Sequence, residues 1–327
     1  MDNVSQMKRG RGRPPKKKPF NPKFKDPVIN NNKENIIPAA NIMRTYKQQE
    51  ADKNYPLLMM CNNPGTWKIL FEVIKDNQSY VNLIFDKTGV TITNHCEQDI
   101  KALSGKLFPD KMIEYRIDKK ITIQLDVNEF YKIMKAIPNT SNFEMFIERH
   151  ELPDGSLFDS LVIRICENDK NRQEIYSIRI QDINIEEDIT DTTKLNKKTF
   201  DYDMIVMLNA DDFYHDCKNM KIFSDEFEIC YANNILTFYQ NINNKMIHTN
   251  DMEESKSLEF IKRPTNDNSV IKRKFKIDSF FKYTKCAKMS SITKLYLSSN
   301  PKLPGIIEFD IDSQFGTLQI FLNSIMQ

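Results

Sequence analysis

Three short stretches of the chain place an aromatic residue, a basic residue and a lysine at one spacing. Phe130, Lys132 and Lys135 lie in "EFYKIMKAI", Phe213, His215 and Lys218 in "DDFYHDCKNM", and Phe280, Lys282 and Lys285 in "SFFKYTKCAKMSS". A weaker copy carries Leu70, Glu72 and Lys75, with Lys68 on the same side, while Lys221 and Lys288 fall at the edge of the pattern. The chemistry open to repeated ammonium groups is attraction of phosphate. Such contacts are indifferent to base sequence and weaken with salt. One lysine-bearing helix is ordinarily a solvated face, so it is the recurrence that carries information.

The spacing matters only if each copy sits on a helix. In 129–137, Phe130, Ile133, Met134 and Ile137 recur at i, i+3, i+4 and i+7, an apolar stripe with Lys132 and Lys135 opposite it. The same period predicts helices over 66–77, 209–223 and 276–289. Alternating segments predict strands between and after them, among them "YVNLIF", "GVTITN", "KITIQL", "LVIRIC" and "IYSIRI", then "FEICYA", "ILTFYQ", "KLYLSS", "GIIEFDI" and "TLQIFLN". The helix-to-helix interval is similar in the two halves, 68 to 132 and 215 to 282. The prediction is an α+β protein of two similar domains, each with two helices packed on antiparallel sheets.

Composition sets the boundaries. Residues 1–54 are rich in Lys, Asn and Pro without apolar period and read as a disordered basic arm; 55–181 and 204–327 read as the domains, and the polar, acidic stretch 182–203 as their linker. Residues 1–25 hold nine Lys and Arg against Asp2 alone, a charge of +8; the whole chain is +2, so the remainder is −6. Lysines on all four helices of an acidic body are therefore concentrated on one class of surface. No apolar run is long enough for a membrane span, and the polar start gives no secretory signal. The six scattered cysteines form no CxxC pair, which suits reduced thiols inside a cell.

Taken together, the two-fold repeat, the acidic linker and the lysine-faced helices resemble the DNA sliding clamps of the proliferating cell nuclear antigen type over about 55–327. The nearest echoes are the three lysine stretches and the closing "LPGIIEFDI…GTLQIFL". The arm with "RGRGRPPKKK" and the Asn/Ile/Lys-rich composition are more similar to clamps of large cytoplasmic DNA viruses, the asfarvirus group. The resemblance implies the clamp fold and a homotrimeric ring that encircles double-stranded DNA as a processivity factor. Polymerase and other clients would be its partners, and a clamp loader would close it. It implies no catalysis, cofactor, metal or membrane partner, and a place at sites of DNA replication: the viral factory of the host cytoplasm for a viral chain, the nucleus otherwise. Lys68, Lys75, Lys132, Lys135, His215, Lys218, Lys221, Lys282, Lys285 and Lys288 would face DNA. A client pocket would draw on Ile100, Ala102, Ile183, Ile185, Ile189, Pro304 and Phe321. Ring contacts would pair a strand near 174–181 with one in 244–262. The acidic C-terminal tail common in cellular members has no counterpart after the last strand.

Within the arm, Arg9, Arg11, Arg13, Lys16, Lys17 and Lys18 resemble an AT-hook, in which extended Arg side chains enter a narrow minor groove; a targeting signal or a solvated tail are the other readings. Two further functions stay open at this point: an AT-hook architectural protein, and a checkpoint-type clamp subunit in a heterotrimer. "KIDSFF" resembles a client docking motif, but core packing explains Phe280 more simply. Asp310 and Asp312 raise a carboxylate nuclease site, for which alternation in a strand is the plainer account. The pairs at 95–96 and 215–217 lack the further ligands of a zinc site.

Overall fold

The structure is a computed structural model describing residues 55–95, 100–167, 172–180, 200–242, 246–266, 269–312 and 314–325. The basic arm and Ile183, Ile185 and Ile189 lie outside the described residues. The first half runs β1 (Leu57–Cys61), α1 (Pro64–Lys75), β2 (Tyr80–Asp86), β3 (Gly89–His95), β4 (Ile100–Leu107), β5 (Glu114–Ile117), β6 (Ile121–Asp126), α2 (Val127–Ala136), β7 (Asn142–Glu151), β8 (Leu157–Glu167) and β9 (Arg172–Arg179). The second runs β10 (Met204–Asn209), α3 (Ala210–Phe223), β11 (Glu226–Ala232), β12 (Ile235–Ile242), β13 (Met246–Met252), β14 (Leu258–Lys262), β15 (Ile271–Lys276), α4 (Ile277–Phe281), a 3₁₀ turn (Thr284–Lys288), β16 (Ile292–Leu297), β17 (Gly305–Ile311) and β18 (Gly316–Leu322). The order repeats, as the sequence period predicts.

Helix starts follow from side-chain caps. Asn63 accepts from the Thr66 N–H at 3.3 Å, Asp126 from the Asn128 and Glu129 N–H groups at 2.8 and 3.1 Å, and Asn209 from those of Asp211 and Asp212 at 3.0 and 3.1 Å. α4 has no such cap and ends after five residues. The uninterrupted helix expected over 276–289 is thus corrected to a helical turn and a 3₁₀ segment. Backbone bonds there run i to i−3, from Tyr283 to Phe280 and from Cys286 to Tyr283, and the Thr284 hydroxyl donates to the Phe281 carbonyl at 2.7 Å. Aromatic and β-branched side chains at 280–284, with a hydroxyl competing for a backbone carbonyl, disfavour the longer α ladder.

The strands form three antiparallel sheets, ordered β5-β1-β7-β8-β9, β14-β10-β16-β17-β18-β4-β3-β2-β6 and β13-β12-β11-β15. The nine-stranded sheet joins the two halves through β4 and β18, with Leu107 opposite Gly316 and Ala102 opposite Phe321. A Cβ at residue 316 would lie 2.2 Å from the Lys106 carbonyl, so only glycine lets the backbones approach there.

The helices bury their aromatic faces against the sheets. Phe130 packs on Phe71 with ring centroids 4.4 Å apart, and Trp67 meets Phe143 edge-on at 5.8 Å. In the second half Phe280 sits 4.9 Å from Phe227 and 5.1 Å from Phe275. α1 packs beside α2, α3 beside α4 and the 3₁₀ turn, and that turn also touches α1, making one helix layer that crosses the seam.

Candidate nucleic-acid interface

Because each helix buries its aromatic stripe, its opposite side is presented outward. Lys132, Lys135, Lys218, Lys282 and Lys288 are all exposed there, as is His215, and among the described residues these five lysines make no ion pair. The other four lysines of the pattern are engaged. Lys68 donates to Asn139 Oδ1 at 2.7 Å and to the Ile137 carbonyl, closing the end of α2, and partial burial holds its pKa below the ordinary lysine value. Lys221 pairs with Asp278 at 2.7 Å and lies over the Phe281 ring. Lys75 pairs with Asp76 at 2.9 Å and lies over Tyr131. Lys285 reaches across the seam to the same Asp76, with Glu72 at 3.9 Å, and its hydrogen bond to Asp76 raises its pKa. Partial burial works against the Asp76 carboxylate, yet hydrogen bonds from Lys285 and Lys75 keep it below the usual range.

Acids interrupt the face beside α3. Asp211 and Asp212 suit the positive end of the helix dipole. Asp216, half-buried, has its pKa pushed up by burial and by Asp212, against a hydrogen bond from Asn250. It borders a cleft of about 690 Å³ with Asp212, His215, Asp251, Glu253 and Glu254.

On the other face of the nine-stranded sheet, Ala102 and Phe321 are buried in one cluster with Tyr202, Tyr296 and Ile306, flanked by Phe200 and Ile205. Pro304 joins them: its carbonyl accepts from the Tyr202 hydroxyl at 3.1 Å. The Ile100 backbone pairs with Leu322. Sequence reasoning missed Tyr202, Tyr296 and Ile306, although the alternation of β16 and β17 puts the latter two opposite the core residues Leu295 and Ile307. It also missed Arg273. This buried guanidinium donates to the carbonyls of Ser298 (2.9 Å), Asn300 (2.7 Å) and Leu303 (2.6 Å) and to Ser324 Oγ (2.8 Å). It thereby ties the β16–β17 loop to the segment after β18.

Among the described residues six strands end the three sheets, β9 and β13 among them. β9 ends one sheet and carries the exposed Ile175; β13 ends another and carries exposed Met246 and Ile247, with exposed Ile222 and Phe223 beside it, the latter stacked on His248. The remaining candidates have local partners. Phe280 is buried in the core, Asp310 pairs with Lys294 at 3.2 Å, and Asp312 accepts from Thr66 Oγ1 at 2.9 Å.

With this geometry in place, comparison with known proteins is specific. The model of the proliferating cell nuclear antigen N-terminal domain matches residues 58–189, and that of the C-terminal domain matches 197–325. A proliferating cell nuclear antigen of Caenorhabditis elegans is 23% identical over 268 residues, 80% of this chain and 93% of the relative. A probable DNA polymerase sliding clamp of Autographa californica nuclear polyhedrosis virus is 24% identical over 262 residues, 78% of this chain and 91% of the relative.

Proposed function

This chain belongs to the proliferating cell nuclear antigen family, and we propose that it acts as a DNA polymerase sliding clamp, three copies closing a ring around duplex DNA. The observation that carries the reading is the single helix layer across the β4–β18 seam, with Lys132, Lys135, Lys218, Lys282 and Lys288 exposed on it. Five ammonium groups per subunit, spread over both halves, suit phosphates at any sequence. They are too dispersed to grip one site, so the duplex can slide. A closed ring holds DNA by topology and needs no tight contact. No bond is made or broken by the ring; it works by raising the concentration of a tethered polymerase at the template.

The terminal strands β9 and β13, each with exposed aliphatic residues, suit strand addition between neighbouring copies. The cluster of Ala102, Pro304, Phe321, Tyr202, Tyr296 and Ile306 is the proposed client site, with Ile183, Ile185 and Ile189 of the linker as its third wall. The arm residues Arg9 to Lys18 would add a salt-sensitive contact to DNA outside the ring.

The test is solution mass by size exclusion with light scattering on the full chain. A mass near three times 38.5 kDa is expected; a concentration-independent monomer would overturn the self-closing ring. A second measurement separates the clamp from an AT-hook protein. Protein lacking residues 1–25, once loaded on circular DNA, should stay until the circle is cut, whereas an AT-hook protein would lose DNA on that deletion.

A further inference from the structure

Asp76 stands in an unusual place. It follows the last residue of α1, and its own N–H is bonded to the Glu72 carbonyl at 3.1 Å. A carboxylate at the C-terminal end of a helix faces the negative end of the dipole and is disfavoured there unless cations offset it. Here two do: Lys75 from α1 itself, and Lys285 from the 3₁₀ turn of the second half. Both lysines belong to the repeated pattern, in which Lys132, Lys135, Lys218, Lys282 and Lys288 stay exposed while Lys68 and Lys221 have partners of their own. A carboxylate and a phosphate oxygen offer an ammonium group the same charge-assisted hydrogen bond. Asp76 is attached to the same fold, so its effective concentration at both lysines exceeds that of a passing phosphate.

We propose that Asp76 is a built-in stand-in for phosphate at the seam between the two halves, occupying Lys75 and Lys285 and withholding them from the DNA backbone. The proposal rests on the clamp reading above. Its consequence is a lining with fewer available cations than the sequence pattern suggests, and so a weaker electrostatic hold on a duplex that must slide. The same pairs brace α1 against the 3₁₀ turn. The Thr66–Asp312 hydrogen bond braces the other end of α1, so the helix is tied to the second half at both ends.

The test uses the full chain and a short blunt-ended duplex, with affinity measured over a series of salt concentrations; the arm contributes equally to every variant. Each variant is first shown to keep the wild-type solution mass. The slope of log affinity against log salt counts phosphates neutralised, at about 0.9 per contact. Asp76→Asn should steepen it by about one to two contacts. Lys75→Met with Lys285→Met should leave the slope at the wild-type value, and adding Asp76→Asn to that pair should change nothing further. The proposal is overturned if Asp76→Asn leaves the slope unchanged. It is equally overturned if Asp76→Asn steepens the slope in the lysine-free background, which would be a general charge effect, or if the lysine pair alone flattens it. Lys132→Met with Lys135→Met tests the lining separately. A slope reduced by about two contacts upholds the lining whatever Asp76 does, and an unchanged slope removes the lining and this proposal with it.

Discussion

The two helix pairs start from one pattern and reach different surfaces. In the first half α1 and α2 are regular, each begun by a side-chain cap, and α2 leaves Lys132 and Lys135 free. In the second, α3 carries Asp211, Asp212 and Asp216 beside its lysines, and α4 gives way to a 3₁₀ turn. In a 3₁₀ segment residues three apart eclipse, so Lys285 and Lys288 lie one above the other. Yet Lys285 reaches Asp76 across the seam while Lys288 stays exposed. The difference teaches that spacing places a lysine on a face, but the neighbouring acids decide whether its charge is available.

The largest effects are expected in the cores. Phe130→Ala and Phe280→Ala each remove a fully enclosed ring, and each should cost about 3–5 kcal/mol, read as a lowered unfolding midpoint. Equal losses would mean that the short α4 is fixed by packing as firmly as the capped α2. A loss below about 2 kcal/mol at Phe280 alone would show that the uncapped turn relaxes into the space. Arg273→Met comes next and has its effect in the second half only. It strands the buried Ser298 carbonyl and the part-buried carbonyls of Asn300 and Leu303 and should cost about 3 kcal/mol, with proteolysis at the 298–304 loop as an independent readout.

Charge reversal tests the surfaces themselves. Lys132→Glu with Lys135→Glu should weaken duplex association roughly tenfold at moderate salt, from the loss of two phosphate contacts. Lys218→Glu with Lys282→Glu should cost less, about threefold, since acids already offset that face. Equal losses would mean that Asp211, Asp212 and Asp216 do not influence that lysine-bearing surface.

Much of this was legible in advance, for physical reasons. Helical period, strand alternation and the repeated Phe-x-basic-x-x-Lys spacing are properties of neighbours in sequence, and they yielded the two-domain α+β plan and the outward lysines. What stayed hidden depends on residues far apart. Nothing near Lys285 announces Asp76, 209 residues away, and nothing near Pro304 announces the Tyr202 hydroxyl. The end of α4 was missed because Phe280, Phe281, Tyr283 and Thr284 fit an apolar stripe even as they disfavour the helix that would carry it. Ala102 and Phe321 came from the family resemblance alone, and the structure buries both in one cluster, whereas Arg273 could be identified only from the carbonyls gathered around it.

The smallest expected effect concerns Asp216, the acid that most distinguishes α3 from α2. Burial and the neighbouring Asp212 raise its pKa in the folded protein. A carboxyl with a raised folded-state pKa contributes stability while it is protonated, and that contribution is lost as pH rises through the folded pKa. At neutral pH the ionised group is therefore a cost. Asp216→Asn, which keeps the size and a hydrogen-bonding group for Asn250, should raise the unfolding midpoint at neutral pH by no more than about 3 °C. The gain should shrink as pH falls through the raised carboxylate pKa, because the wild-type group is then neutral as well. If Asp216→Asn instead lowers the midpoint at neutral pH, the Asn250 contact outweighs burial and repulsion. The acidic side of α3 would then be a stabilising feature of the second half, and the contrast between the two helix pairs would be one of function alone.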